Sequence, residues 1–475
     1  MKEAVFLQEV KEIQLLKNAL TLLDWDSSTG MPEKSSPFRG EVEGYLTGLY
    51  FERSIGPVIQ EALAYFETRP EELSELGKLV FEKVKEEYTL NKNVPAERMQ
   101  EYVKALNQAH TDWLKARAAQ DFGLLEETLT KVVAFQKEFI PYWQKEEKTP
   151  YDVLLNQFEP GMTVEKLDQV FDQVKQGIQE IRTVLAEKGT PPRTDFLSRK
   201  MTKEQQRRFV IGVVEQLGYD FSKGRLDDTV HPFMTALNRN DARITTRWEE
   251  NNFSMATFGV IHEAGHGMYE QNFDPKFDFT PLSEGASMGI HESQSLFNEI
   301  IIGSNRAFWQ KQYPFFQECA EGTFDDIAFE DFYASLKETK ASLIRIDSDS
   351  LTYPLHIIIR YEIEKMLFNG SLEVADLPKV WNEKYQEYLG VSPENDLEGV
   401  LQDVHWSGGS FGYFPSYALG YMYAAQLFHA MKQELSVDEI LASEDYSDIR
   451  KWLTQHIHQY GASRKPNQLI YDATG

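Results

Sequence analysis

Three observations predict a mainly α-helical protein with one small β-sheet. Apolar residues recur at helical spacing along most of the chain. The first 220 residues carry almost no strand pattern, and a short β-branched stretch follows Arg225. Residues 3–23 place Val5, Phe6, Val10, Ile13, Leu16 and Leu20 at a helical period, leading into a turn-rich run over Leu23–Pro32. The pattern is helical again from Arg39 to about Leu90, with breaks near Arg53–Pro57 and Thr68–Pro70. Pro95, tolerated in a first helical turn, opens a helix to Gln120, and another runs from Leu124 to about Lys145. Tyr151–Thr163 reads as a loop rich in aromatic and turn residues, after which helix resumes over 164–187.

Asp228–Phe233 and Asp241–Trp248 read as short strands, with turn residues Asn238–Asp241 between them: a hairpin or small sheet. Ser283–Gly289 is a glycine-containing loop that opens a helix over about Ile290–Ile302. Residues 331–369 read as a long helix interrupted near Asp347–Pro354, and Leu355–Phe368 is apolar on nearly every face, hence buried. No stretch has linker composition. The expectation is therefore one domain over 1–475, with a helical scaffold lobe at 1–224 and a lobe carrying the metal site at 225–475.

The chain has 475 residues, 41% of them hydrophobic, enough for a large core. Its formal charge of −26 argues against nucleic acid and anionic membrane as partners, both of which select basic patches. A single cysteine, Cys319, excludes an intrachain disulfide and a cysteine-based zinc site. The first twenty residues carry charges throughout, with neither a signal-peptide core nor a membrane span, so a cytoplasmic location is expected.

The most informative stretch is Val260–Gly267. His262 and His266 stand four apart, so on a helix both imidazoles face the same way and can reach one metal ion at about 2.0–2.1 Å. Glu263 is rotated by roughly 100°, beside the metal, where a general base for an activated water belongs. Gly259, Gly265 and Gly267 each weaken the helix by about 1 kcal/mol relative to Ala, which suggests that a backbone or a substrate comes close. A catalytic zinc takes three protein ligands. Glu292, 26 residues beyond His266 at the start of a helix, is the first candidate for the third; Glu270 and Glu284 are alternatives. Glu299 lies seven residues further on the same face as Glu292 and is placed to support a ligand.

Several ordered elements then resemble the carboxypeptidase Taq family of metallocarboxypeptidases. They are His231-Pro232-Phe233; Asp241-x-Arg243-x-Thr245; His262-Glu263-x-x-His266; His291-Glu292-Ser293-Gln294; Ile344-Arg345-x-x-Ser348-Asp349; and Gly399-x-x-Gln402-Asp403-x-His405-Trp406. Leu23-x-Trp25-Asp26-x-x-Thr29-x-Met31-Pro32 and Glu159–Thr163 add to the match. Ser348 stands where that family usually has alanine. The resemblance implies a mostly helical, gluzincin-like (neurolysin-like) fold with a deep groove and a small sheet beside the metal helix. It implies a cytoplasmic, homodimeric carboxypeptidase of broad specificity that uses one divalent metal, Zn²⁺ or Co²⁺, on peptides with a free C-terminus. By the same carry-over His262, His266 and Glu292 are ligands and Glu263 is the catalytic base.

The remaining roles follow from chemistry within those motifs. An oxyanion needs a donor besides the metal, and His405, Tyr413, Tyr417 and Tyr421 are candidates. A substrate carboxylate suits the bidentate fork of arginine: Arg345 first, Arg243 second, each with an Arg–Asp pair inside its own motif as the alternative. His231 and His291 are expected to orient substrate or support the site. A zinc oligopeptidase on the same scaffold, or a helical scaffold with incidental histidines, are the competing classes.

Overall fold

The computed structural model describes residues 1–475, apart from the side chains of Asn91 and Ala96. Helices dominate, and a three-stranded sheet interrupts them. The chain divides into two compact units: Met1–Asn91 with Arg193–Leu336 and Gly420–Gly475, and Lys92–Pro192 with Lys337–Leu419. Both units are assembled from separated stretches of chain, so they do not coincide with lobes divided at residue 224. The metal motif and the sheet belong to the first unit; Arg345 and His405 belong to the second.

In the first unit, helix Glu3–Thr29 packs Phe6, Val10 and Ile13 with Ile59, Leu63, Phe66 and Val80. This helix runs straight through the expected turn-rich run. Thr29 Oγ1 donates to the Trp25 carbonyl at 2.7 Å, and the Trp25 ring lies under the guanidinium of Arg243 at 4.4 Å. Tertiary contact here outweighs the weak helix preference of Asp and Ser.

A second core gathers Phe209, Phe253, Trp309, Phe316, Phe324 and Phe332, with Phe253 and Phe316 rings 4.9 Å apart. Phe253 is the first residue of the helix Phe253–Gln271, so the metal motif starts from a fixed base. Asn252 occupies the cap position of that helix without a side-chain bond to it.

The sheet has β1 (Leu226–Asp228), β2 (Met234–Asn238) and β3 (Asp241–Thr246) in the order β1-β3-β2. β2 and β3 form the expected hairpin, and β1 adds parallel to β3, with Leu226 opposite Ile244. A register shift between Ala236 and Asn238 leaves the Leu237 carbonyl to accept from Asn18 of the first helix. Part of the β2 edge is thereby closed.

In the second unit Pro150–Phe158 is a helix, not the loop expected from its turn residues. Thr149 and Asp152 form a reciprocal capping box, whose three-residue spacing was present in the sequence. The interruption expected near Asp347–Pro354 is present but begins earlier: the helices Phe329–Ser335 and Tyr353–Phe368 are separated by the segment carrying Arg345.

Three glycines of the metal helix separate cleanly. A Cβ on Gly265 would lie 2.5 Å from the Gln294 carbonyl oxygen and 2.7 Å from Ser295 Cα, and one on Gly267 would meet the Tyr219 ring at 2.7 Å. One on Gly259 would meet nothing within 4 Å. Gly265→Ala should therefore lower stability by about 1–3 kcal/mol through overpacking against backbone. Gly259→Ala should raise it by up to about 1 kcal/mol by removing chain entropy. Urea unfolding midpoints of the two variants should move in opposite directions.

Candidate metal centre

The helix Phe253–Gln271 presents His262 and His266 one turn apart, with ring centroids 4.9 Å apart. Across the glycine contact lies the helix Met288–Leu296, capped by Ser287, which carries Glu292. The ligand atoms of His262, His266 and Glu292 all lie within 4.8 Å of one another. Glu292 Oε2 is 3.3 Å from His266 Nε2 and 3.7 Å from His262 Nε2. Donors placed tetrahedrally about 2.0–2.1 Å from a zinc-sized ion are roughly 3.3–3.4 Å from one another, so this spacing suits a metal. Gly420 packs on the outer side of the same carboxylate, since a Cβ there would be 2.5 Å from Glu292 Cγ.

Each imidazole turns its other nitrogen away from the centre. His262 Nδ1 is 2.7 Å from Glu299 Oε2, and His266 Nδ1 is 2.6 Å from His291 Nδ1. His291 Nε2 in turn meets Glu270 Oε1 at 3.0 Å. Glu299 sits in a π-helical turn, Phe297–Ile302, that continues directly from the Glu292 helix. Such wide turns commonly occur at functional sites, and here the turn carries one of the two glutamates that meet His262. Of the alternative ligands, Glu270 lies against His291, and Glu284 is bound by Lys17 at 2.5 Å.

The electrostatics call for a cation. Burial disfavours an imidazolium at His262, yet Glu292, with Glu299 and Glu263 behind it, holds its pKa up at about 10. At His266 burial prevails over Glu292 and brings the value down to about 4. Glu292, despite burial, is held at about 2 by His262 and His266. Burial pushes Glu263 up to about 7, with Glu292 and Glu299 adding to the effect against His262. A carboxyl poised near neutrality beside a metal is matched to moving a proton. When both imidazoles are neutral, as metal ligands must be, the carboxylates of Glu263, Glu292 and Glu299 around them are a surplus of acidic groups that a divalent ion would balance. The residues present fit such an ion.

In the same unit Arg243 has its fork on Asp241, with Nε and Nη2 contacts of 2.7 and 2.8 Å, while His231 is exposed between β1 and β2. In the second unit the motifs around Arg345 form one buried network. Asp403 Oδ1 accepts from Arg345 Nε and Nη2 at 3.0 and 2.8 Å, and Asp403 Oδ2 accepts from Arg360 Nε at 2.7 Å. Arg345 Nη1 donates to the Tyr353 hydroxyl at 2.8 Å. Gln402 Oε1 accepts from the Arg345 backbone and from Arg360, and Trp406 Nε1 donates to Glu364 at 2.7 Å. Asp349 is not the partner of Arg345; it caps Thr352 and binds Thr339.

His405 Nε2 is 3.2 Å from the Tyr417 hydroxyl, and its Nδ1 is buried with no partner among the described residues. Burial, with Arg345 and Arg360 opposing Asp403, brings its pKa down to about 4, so it is neutral at pH 7. Tyr413 stacks edge-on with Tyr417 at 5.2 Å, and Tyr421 lies one turn beyond Tyr417 on the helix Pro415–Glu434.

The family model for carboxypeptidase Taq (M32) metallopeptidase matches residues 5–475. The chain belongs to that family. It is 47% identical over 474 residues to carboxypeptidase 1 of Bacillus subtilis, covering all of this chain and 94% of the relative. Thermostable carboxypeptidase 1 of Thermus thermophilus is 35% identical, with 98% and 93% covered. The crystal structure of the M32 carboxypeptidase from Deinococcus radiodurans R1 superposes with a TM-score of 0.95 at 33% identity, covering 99% of this chain and 94% of that one. The protein is thus a metallocarboxypeptidase, a peptide hydrolase with a divalent metal, and its mainly α fold is that of its family. Among the described residues no helix is long and apolar enough to cross a membrane.

Arg360, Glu364 and Gly420 emerge only from the structure. The first two lie in an all-round apolar helix that carried no chemical signal, and the third is one glycine among 29. Because Asp403 neutralises two buried guanidiniums, Asp403→Asn should cost about 3–5 kcal/mol in urea unfolding. Burial raises the Asp403 pKa, but Arg345 and Arg360 overcome it and hold the group well below the usual carboxylate range. A depressed folded pKa means this stabilisation is complete above about pH 4 and is lost as pH falls from there toward the folded value. Between pH 5 and pH 3 the wild type should therefore lose more stability than Asp403→Asn.

Proposed function

We propose that this protein removes single amino acids from the C-termini of peptides with broad side-chain tolerance, using Zn²⁺, replaceable by Co²⁺. The observation that carries the reading is the His262–His266–Glu292 cluster with the buried Glu263 carboxyl beside it. The ion, when bound, acidifies a water and polarises the scissile carbonyl. Glu263 accepts the proton of the attacking water and returns it to the leaving amine. Glu299 and His291 hold the ligand imidazoles in place. His405 and Tyr417, hydrogen-bonded to one another, with Tyr421 one turn on, supply donors for the oxyanion.

Arg345 is the preferred anchor for the substrate carboxylate. Its guanidinium is buried and shares its ion-pair partner, Asp403, with Arg360, so Asp403 does not neutralise it alone. Among the described residues three of the five Arg345 N–H groups are engaged, which leaves donors for a ligand. Arg243 is the second choice, and the exposed His231 beside β2 is placed to contact the peptide. The working form is a homodimer in the cytoplasm, without nucleic-acid or membrane partners.

A product time course on N-blocked peptides of increasing length tests the reading. Single C-terminal amino acids should appear in sequence, stop with chelator, and resume with added Zn²⁺ or Co²⁺. Internal fragments would instead indicate an oligopeptidase. In the same assay Glu263→Gln should retain metal by elemental analysis while turnover falls by at least ~10²–10⁴-fold. Retained activity would dismiss Glu263 as the base.

Arg345→Ala leaves Asp403 paired with Arg360, so the fold should persist. Its KM should rise for free-acid peptides far more than for their amides. Equal changes for the two substrates would remove Arg345 from the anchor role.

A further inference from the structure

His266 and Glu270 are one turn apart on the Phe253–Gln271 helix, and His291 comes from the next helix to bridge them. The bridge is continuous: 2.6 Å between His266 Nδ1 and His291 Nδ1, and 3.0 Å between His291 Nε2 and Glu270 Oε1. The His291 ring is confined. A Cβ on Gly285 would lie 2.8 Å from its Cδ2, and the Tyr269 ring packs edge-on at 5.1 Å. His262, the other imidazole of the pair, reaches a carboxylate directly, at Glu299.

Two imidazole nitrogens facing each other must be one N–H and one lone pair. With neutral rings the chain of bonds can therefore run in only two directions. In one, His266 donates from Nδ1 to His291, and His291 donates from Nε2 to Glu270. His266 Nε2 is then a lone pair, as a metal ligand requires. In the other, every bond is reversed and His266 Nε2 carries the hydrogen. The reversed order needs a donor at position 270; burial raises the Glu270 pKa while its bond to His291 favours the ionised form, and that form, the acceptor of the first order, has no hydrogen to give.

The geometry points to Glu270 as a positioning residue that acts through His291 to keep the His266 Nε2 lone pair directed at the metal centre. The inference rests on the metal centre proposed above and extends it by one residue beyond His291. It also accounts for a buried glutamate that is itself no part of the ligand cluster.

Glu270→Gln tests it, because the amide has nearly the same shape but can donate as well as accept. It allows the reversed order while leaving packing intact. Zinc affinity, read by competition with a chromophoric chelator, should fall about tenfold or more, the usual effect of losing such a partner. The unfolding temperature of the metal-free variant should match that of the metal-free wild type. Selective ¹⁵N-histidine NMR of the metal-free proteins gives a second reading: His291 protonated at Nε2 in the wild type, and both tautomers in Glu270→Gln. Unchanged zinc affinity in the variant, or a wild-type His291 protonated at Nδ1, would overturn the inference. A wild type that binds no zinc would sink the metal centre itself, which separates the two failures.

Discussion

The metal centre depends on how closely two helices can approach. Phe253–Gln271 supplies two imidazoles and Met288–Leu296 supplies one carboxylate, and a methyl group at position 265 would collide with the Gln294 carbonyl. A side chain at that position would push apart the two helices that bring Glu292 to the histidines. The same tightness explains why a helix interior carries glycine despite its cost of about 1 kcal/mol relative to Ala. Gly420 repeats the device at Glu292 itself, since a Cβ there would lie 2.5 Å from Glu292 Cγ.

Close packing of this kind places groups but does not decide their charge. Several buried carboxylates surround the His262–His266 pair, and their joint field draws a positive charge to the spot. In the second unit Arg345 and Arg360 share Asp403, and the buried Glu364 is close enough to Arg360 to feel its charge. Each unit therefore keeps a buried cluster of charged groups of its own. The overall charge of −26 gives no hint of this, because net charge reports the solvated surface and not the buried sites.

Helical periodicity made most of the architecture legible, and the four-residue spacing of His262 and His266 made the metal helix legible. Glu292 could be singled out because it opens a helix at a suitable distance along the chain. The misreadings have local causes. Asp24–Thr29 looked like a turn because its residues favour turns, but Trp25 beneath Arg243 ties the helix down from outside. Pro150–Phe158 was hidden by aromatic and polar composition, although Thr149 and Asp152 carried its capping signal. The π-helical turn, the His266–His291 contact and the sharing of Asp403 by two arginines had no local signature, since each is created by packing between distant stretches.

That distinction bears on how motif residues should be read. Gln402, Asp403 and Trp406 belong to one matched element, yet each is committed to another buried group: Gln402 to Arg345 and Arg360, Asp403 to the same pair, and Trp406 to Glu364. Their bonds hold the segment of Arg345 in place, where helix geometry cannot, since that segment is a break between two helices. His405 differs from its neighbours in having a buried ring nitrogen with no partner among the described residues. Leaving such an atom unbonded costs about 1–3 kcal/mol, which packing alone gives no reason to accept. Within this element, then, three side chains are committed to buried partners, and His405 alone among them keeps a buried ring nitrogen with no partner among the described residues.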